Sequence, residues 1–375
     1  MLFRLKPETL LLLSCSLFFT QINHAEEEKI LPPMTSTECL QDINFTAKFL
    51  LENDAGIRAK NWTDYPKNIQ KTLDEQKLKA NSVTNVKECI DITKPFLKAI
   101  RKGHIELNAI SMSDYVQKIS TQQKDDLVIT KKLSNLTSYI LIPSFGISIK
   151  DQLERIIKNN QDGILNAQYL ILDLRKNAGG VDHSAEPLFK LLGEADYWTE
   201  MPQVYTSQAN IHAYKELQRI YPDPKFKHEL DQIIKKMEKK KDSWVYMGVE
   251  KSLDVEKITK KDVLATPKKV VVLTDEYCGS SGEEFVKSVK QNPRVVTIGR
   301  NTYGALDASN LRDTKTPSTK LSLWYATTYV NRRAGQEIDN IGIAPNIRLP
   351  KPKNQTEYDA EVKLAQHYLE NRLWK

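Results

Sequence analysis

The chain has 375 residues, 40% of them hydrophobic and 27% charged, enough for one large domain with an accessory one or for two ordinary domains. This balance excludes a disordered chain, and the formal charge of +7 is a mild excess spread along the sequence. The densest cationic stretch (Lys235, Lys236, Lys239, Lys240 and Lys241) has Glu238 and Asp242 among it, so it reads as a solvated helix face and no nucleic-acid partner is expected.

In chain order, the first 25 residues carry a basic start (Arg4, Lys6), an apolar centre (Leu10 to Leu13, Leu17, Phe18, Phe19) and Ala25 before a cleavage point. This run is too short for a membrane span and reads as a secretory signal peptide. A periplasmic or secreted protein with no stable membrane span after signal removal is therefore expected. Leu-Leu-Ser-Cys15 also resembles a bacterial lipoprotein box, which leaves anchorage through Cys15 as an alternative. Residues 26–110 are expected to form an N-terminal helical domain. Asp42, Phe45, Phe49 and Leu50 begin one amphipathic run, and Val83 to Ile100 carry a second. Cys39 and Cys89 lie in this region, and export permits a disulfide between them; the alternative is two buried free thiols. Cys278 is then left unpaired and is assigned to packing.

A core is expected over 111–350. Tyr139-Ile-Leu-Ile-Pro reads as a strand, Lys150 to Asn159 as a charged helix, and Tyr169-Leu-Ile-Leu-Asp-Leu as a strand buried on both faces. A turn at Asn177-Ala-Gly-Gly precedes a helix from Ala185 to Leu192. Residues 195–265 are Lys-rich and read as a largely helical insertion or lid, interrupted by Pro222 and Pro224. Strands at Lys269-Val-Val-Val-Leu-Thr, Val295-Val-Thr-Ile-Gly and Leu321 to Tyr329 follow, with a helix from Ser281 to Gln291 and a C-terminal helix within 351–375. Alternating strands and helices predict an α/β protein with mostly parallel strands.

Two turns carry the chemistry. Ser280, in Tyr-Cys-Gly-Ser-Ser-Gly-Glu-Glu, stands at a strand-to-helix junction, where a hydroxyl and outward-pointing amides can serve as nucleophile and oxyanion site. Taken alone it also spells a helix capping box with Glu283. The second turn, Leu172-Asp-Leu-Arg175-Lys-Asn177-Ala-Gly179-Gly180, allows close backbone approach to a ligand. No Lys-Ser/Thr follows its glycines, which argues against a phosphate loop.

The order of Asp-Leu-Arg-x-Asn-x-Gly-Gly, Ser-Ser-Gly-Glu, Ile-Gly-x-x-Thr-x-Gly and Ile-Gly-Ile-Ala-Pro-Asn-Ile over roughly residues 138–350 resembles the tail-specific (carboxyl-terminal processing) serine peptidases. The resemblance implies a ClpP/crotonase-like core, endopeptidase activity on a peptide or protein substrate, Ser280 as nucleophile, and oxyanion donors from Ser281 and from Gly179 or Gly180. Two departures matter. Ala305 follows Thr302-Tyr-Gly304 where the best-known branch has its general-base lysine, and no PDZ pattern is found. Gly103-His104-Ile105-Glu106 resembles the Gly-His-Thr segment of tricorn-like relatives, so His104 is expected as the base, with Asp339 as its orienting carboxylate. Asp307 or Glu106 are substitutes for Asp339, and His183 is the rival base. Asp307-Ala-Ser-Asn310 reads either as site lining or as a polar turn. The Lys-rich insertion either selects acidic or extended peptides or is an inert elaboration. No metal-ligand spacing is present and no cofactor is expected.

Overall fold

The computed structural model describes residues 32–110, 127–220, 224–248, 253–259, 263–264 and 267–373. The expected signal segment, Cys15 and Pro222 lie outside them. Helix α1 (Ser36–Asn53) opens with a capping box between Thr35 and Glu38 and buries Cys39, Ile43, Ala47 and Leu50 at helical spacing. The short α2 (Ala55–Arg58), α3 (Lys67–Lys79) and α4 (Val86–Ile100) follow. Cys39 and Cys89 are joined as a disulfide that ties α1 to α4 across 50 residues of chain. Closing a loop of that length restricts the unfolded chain by about 4 kcal/mol. The Cys39→Ser/Cys89→Ser variant is accordingly expected to unfold at a clearly lower urea midpoint; an unchanged midpoint would remove the disulfide from the stability account.

Helicity does not persist to residue 110. Glu106–Ala109 is strand β1, because beyond the turn at Gly103 the chain is captured by an antiparallel partner. After β1 come β2 (Ile129–Lys132), β3 (Thr137–Leu141), α5 (Ile149–Lys158), β4 (Tyr169–Asp173) and the short α6 (Glu186–Phe189). The 195–265 segment holds β5 (Ala195–Glu200), β6 (Gln203–Tyr205), α7 (Gln208–Ile220), α8 (Pro224–Lys239), β7 (Trp244–Tyr246) and β8 (Leu253–Ile258). Pro224 starts α8, where a missing N–H is harmless. The chain ends with β9 (Lys269–Thr274), α9 (Ser281–Val289), β10 (Val295–Gly299), β11 (Ala308–Lys315), β12 (Leu321–Tyr329), β13 (Ile347–Arg348) and α10 (Gln355–Glu370).

The result is a mixed α/β protein. One sheet has the order β13-β10-β9-β4-β3-β2 and is parallel except at β2. Successive residues of its central strands face opposite layers. Leu170, Leu172, Val270 and Val272 pack toward Ile149, Leu153 and Phe285, whereas Tyr169, Ile171, Val271 and Leu273 pack toward Ala365 and Leu369 of α10. The expectation of mostly parallel strands needs correction beyond this sheet. The second sheet, β1-β12-β6-β7 with β11 on β12, is antiparallel throughout. Its hairpin β11–β12 turns within residues 316–320, too short a connection for parallel pairing. The insertion thus contributes strands as well as helices, with β6 and β7 built into this sheet. The helices α1–α4 share a core with Leu321, Leu323 and Tyr325 of β12, and buried Asp42 of α1 accepts hydrogen bonds from Thr316 Oγ1 (2.8 Å) and Ser318 N (2.9 Å) of the hairpin turn.

Candidate active site

Because β4 and β9 are adjacent and parallel, their C-terminal turns emerge side by side, at the sheet edge where α/β folds gather ligands. Asn177 knits the two turns together. Its Nδ2 donates to Ile142 O (3.1 Å), its Oδ1 accepts from Gly179 N (2.9 Å), and its carbonyl accepts from Gly279 N (2.9 Å). Gly179, at φ +106°, then lies against the serine, since an added Cβ would come within 2.7 Å of Ser280 Cβ and 2.9 Å of Ser281 N.

Ser280 itself has φ +52° and ψ −123°, a conformation costing a non-glycine residue on the order of 1–3 kcal/mol. Ser280 and Glu283 stand in capping-box register, yet Ser280 Oγ, in a residue 2% exposed, makes no hydrogen bond. A hydroxyl that is buried, unpartnered and held in a strained turn is poorly explained by capping alone. Cys278 is buried in the core beneath it, and burial pushes its thiol well up, so it is inert packing.

Glu283 holds the neighbouring loop to this turn. Its carboxylate accepts from Thr302 Oγ1 (2.5 Å), Gly304 N (2.7 Å), Ala305 N (2.8 Å) and Ser280 N (3.2 Å). Burial nonetheless pushes its pKa up to about 7. Ala305, at the position of the absent lysine, is buried, and an added Cβ on Gly103 would meet its Cβ at 2.7 Å. The loop 302–308 therefore has the Ser280 turn on one side and the His104 segment on the other.

His104 is buried, at φ +60°. Its Nδ1 lies 2.6 Å from Ala308 O. A carbonyl only accepts, so Nδ1 carries the proton and the neutral ring leaves Nε2 as its acceptor, the tautomer a general base requires. Burial pushes its pKa down to about 4, reinforced by the Arg101 charge. Arg101 is what clamps the segment. Its guanidinium pairs both nitrogens with Asp54 at 2.8 Å and also donates to the carbonyls of Gly103 (2.9 Å) and His104 (2.8 Å). Nothing in the local sequence marks Arg101, which reads as an ordinary cation at a helix end.

Asp339 is not brought onto the His104 ring as expected. Its Oδ1 accepts from Leu306 N (2.7 Å) and Asp307 N (2.8 Å), and its Oδ2 from Ala308 N (3.2 Å). Three converging amides hold the carboxylate one peptide away from the carbonyl that binds His104. Asp307 reciprocates, taking Ile338 N (2.7 Å) and Asp339 N (2.8 Å) while pairing with Arg332. Of the other candidates, Glu106 is opposite Trp324 in β1, and His183 follows the cleft-lining Asp182, its pKa lowered by burial and by the Lys150 charge. The Gly179 amide donates to Asn177 Oδ1.

A narrow cleft opens beside Ser280, lined by Asp182, Glu200, Glu284, Leu306 and Asn310 among others. Burial pushes Asp182 up to about 7. Among the described residues no cluster of metal-ligating side chains occurs and no helix is long and apolar enough to cross a membrane.

Residues 137–349 match the model of peptidase family S41. A stretch of 114 residues is 27% identical to a curated Sulfurisphaera tokodaii protein described as a Tricorn-like protease C-terminal subunit; it covers 29% of this chain and only 13% of that relative's length. Among solved structures, mature CPAF complexed with lactacystin is similar at TM-score 0.60 and 14% identity, covering 90% of this chain and 99% of that one. A lipoprotein from Streptococcus agalactiae is similar at TM-score 0.50 and 14% identity, covering 92% and 100%. At these identities the structural likeness is one of fold.

Proposed function

The chain belongs to peptidase family S41, which makes it a hydrolase of the serine peptidase class, and from that premise we propose that it is an exported endopeptidase acting through an acyl-enzyme on Ser280. The observation that carries this reading is the buried, unpartnered Oγ of Ser280 in its strained turn against Gly179. We read the parallel sheet and its helices as a ClpP/crotonase-like core and α1–α4 as its N-terminal helical domain.

In this mechanism Ser280 Oγ attacks a substrate carbonyl carbon as its proton passes to His104 Nε2. The amides of Ser281 and Gly180 receive the oxyanion, the arrangement in which losing one donor typically costs about a hundred- to a thousandfold in rate. His104 then returns the proton to the departing amine, and water, deprotonated by the same nitrogen, hydrolyses the ester. Asp339 acts as a positioning residue, fixing through the 306–308 amides the Ala308 carbonyl that sets the His104 tautomer. The signal-like N-terminal sequence and the Cys39–Cys89 disulfide support export.

Ala305 in place of the dyad lysine favours a second reading, a binding or scaffold protein without catalysis. Fluorophosphonate labelling of the mature protein separates the two. A covalent adduct on Ser280, lost in Ser280→Ala, is expected; no adduct on folded protein would support the scaffold.

A further inference from the structure

The half-buried side chain of Tyr303 touches both the Ser280 turn and the His104 segment. Its backbone is fixed on the nucleophile side. Tyr303 N donates to Cys278 O at 2.7 Å, and an added Cβ on Gly279 would come within 3.3 Å of Tyr303 Cβ. Its ring reaches the base side, where an added Cβ on Gly103 would come within 2.9 Å of Cε1. Gly279 directly precedes Ser280, and Gly103 directly precedes His104. Beyond Gly103 the ring ends on Lys102. The Tyr303 hydroxyl donates to Lys102 O at 2.9 Å, while Lys102 Nζ donates to Tyr303 O at 2.7 Å and lies 4.2 Å from the ring centroid. Lys102 N donates to Asn340 Oδ1 at 2.7 Å, and Asn340 N donates to Gly304 O at 2.8 Å. Lys102 is exposed, yet its amide, carbonyl and ammonium are all committed to the loops that carry Tyr303 and Asp339. Ordering a surface lysine costs rotamer freedom, and cation–ring contacts at exposed sites return little, so this clasp is better explained by what it positions.

We infer that Tyr303 is a positioning residue whose ring sets the spacing between nucleophile and base, with Lys102 as the clasp that holds the ring, an assignment that rests on the Ser280–His104 reading above. A tyrosine suits the task because its rigid ring has few torsions to fix, and here it is tied at both ends, by Cys278 at the backbone and by Lys102 at the hydroxyl. Proton transfer from Ser280 to His104 requires hydrogen-bond reach, and a displacement of about 1 Å can cost about a hundredfold in rate. Neither Tyr303 nor Lys102 lines the cleft beside Ser280, so the effect belongs to the rate of attack rather than to binding.

The test uses a fluorophosphonate, whose saturation kinetics separate the rate of attack by Ser280 (kinact) from noncovalent binding (KI). Tyr303→Ala is expected to lower kinact by about a hundredfold and leave KI little changed, with Ser280 still labelled at long times. Tyr303→Phe keeps the ring and gives up only the clasp, so it should recover most of that loss. In a His104→Gln background, Tyr303→Ala should have little further effect, because the residue acts through the base. Thermal melts report folding, and Tyr303→Leu takes the place of the alanine variant where that chain does not fold. Four results on folded protein overturn the inference while the Ser280 adduct keeps the peptidase reading intact: kinact near wild type, a loss carried by KI, a Tyr303→Phe chain as slow as the alanine variant, or an equal loss in the His104→Gln background. Absence of the Ser280 adduct on wild-type protein overturns the two together.

Discussion

Asp54→Ala is expected to destabilise the protein by about 3–5 kcal/mol, because it strands the Arg101 guanidinium, 4% exposed, without its counter-charge. Asp54 also accepts the amides of Ile57 (3.0 Å) and Ala326 (3.1 Å), so the same change loosens α2 and β12. The double variant Asp54→Leu/Arg101→Met removes the stranded charge and should recover only part of that stability, because the Ile57 and Ala326 amides stay without their acceptor. It should not recover activity, since the carbonyls of Gly103 and His104 lose their donors and the clamp on the φ +60° turn is reduced to the His104–Ala308 hydrogen bond. We expect kcat to fall by about two orders of magnitude, the lower end of general-base contributions, with KM little changed. Urea unfolding together with steady-state kinetics checks both parts. A stable double variant with full kcat would reduce Arg101 to a structural residue.

The second large effect is in pH dependence. With its pKa pushed down to about 4, His104 stays neutral through the range in which an ordinary histidine, near 6.5, becomes charged. A base must be unprotonated to act, so complete loss of the fluorophosphonate labelling rate is expected only as pH falls through about 4. A partial change near 7 is expected above it, where Glu283 and Asp182 titrate. Complete loss by pH 6 would show that His104 is not the base or is not buried when it acts. The same shift makes a stability statement. The unfolded state binds the His104 proton more readily, so the contribution is intact above 6.5 and is lost between about 6.5 and 4, amounting to about 3 kcal/mol. Glu283 works in the other direction: its raised pKa favours the protonated folded form, and that contribution is lost as pH rises from the ordinary glutamate range through about 7. Comparing wild type with His104→Gln isolates the first effect.

What the sequence made legible was local. The Ser280 turn, the double glycine and strands β4 and β9 announce themselves through short runs whose neighbours in space are neighbours in sequence or lie on adjacent parallel strands. The devices that hold His104 are different in kind. Asp54 and Arg101 are 47 residues apart and look like a helix cap and an exposed cation. Asp307 and Asp339 each satisfy the other's backbone amides across 32 residues, a pairing no spacing rule describes. β11 was hidden because Ala-Ser-Asn-Leu-Arg-Asp-Thr-Lys is polar, and it becomes a strand only because β12 captures it. Asp339 is linked to His104 only through Ala308, whose amide it accepts and whose carbonyl binds the ring, and the sequence does not reveal that link.

The hydrogen bond from His104 to Ala308 spans 204 residues, and the contact that brings Ala326 to Asp54 spans 272. Each must wait until most of the chain has collapsed, for loop-closure entropy makes such distant contacts slow to form. On the proposed mechanism, a chain in which β11 and β12 are not yet in place holds Gly179, Ser280 and His104 but has no Ala308 carbonyl in position to orient the His104 ring. On that mechanism, a competent site would form only with the completed tertiary structure.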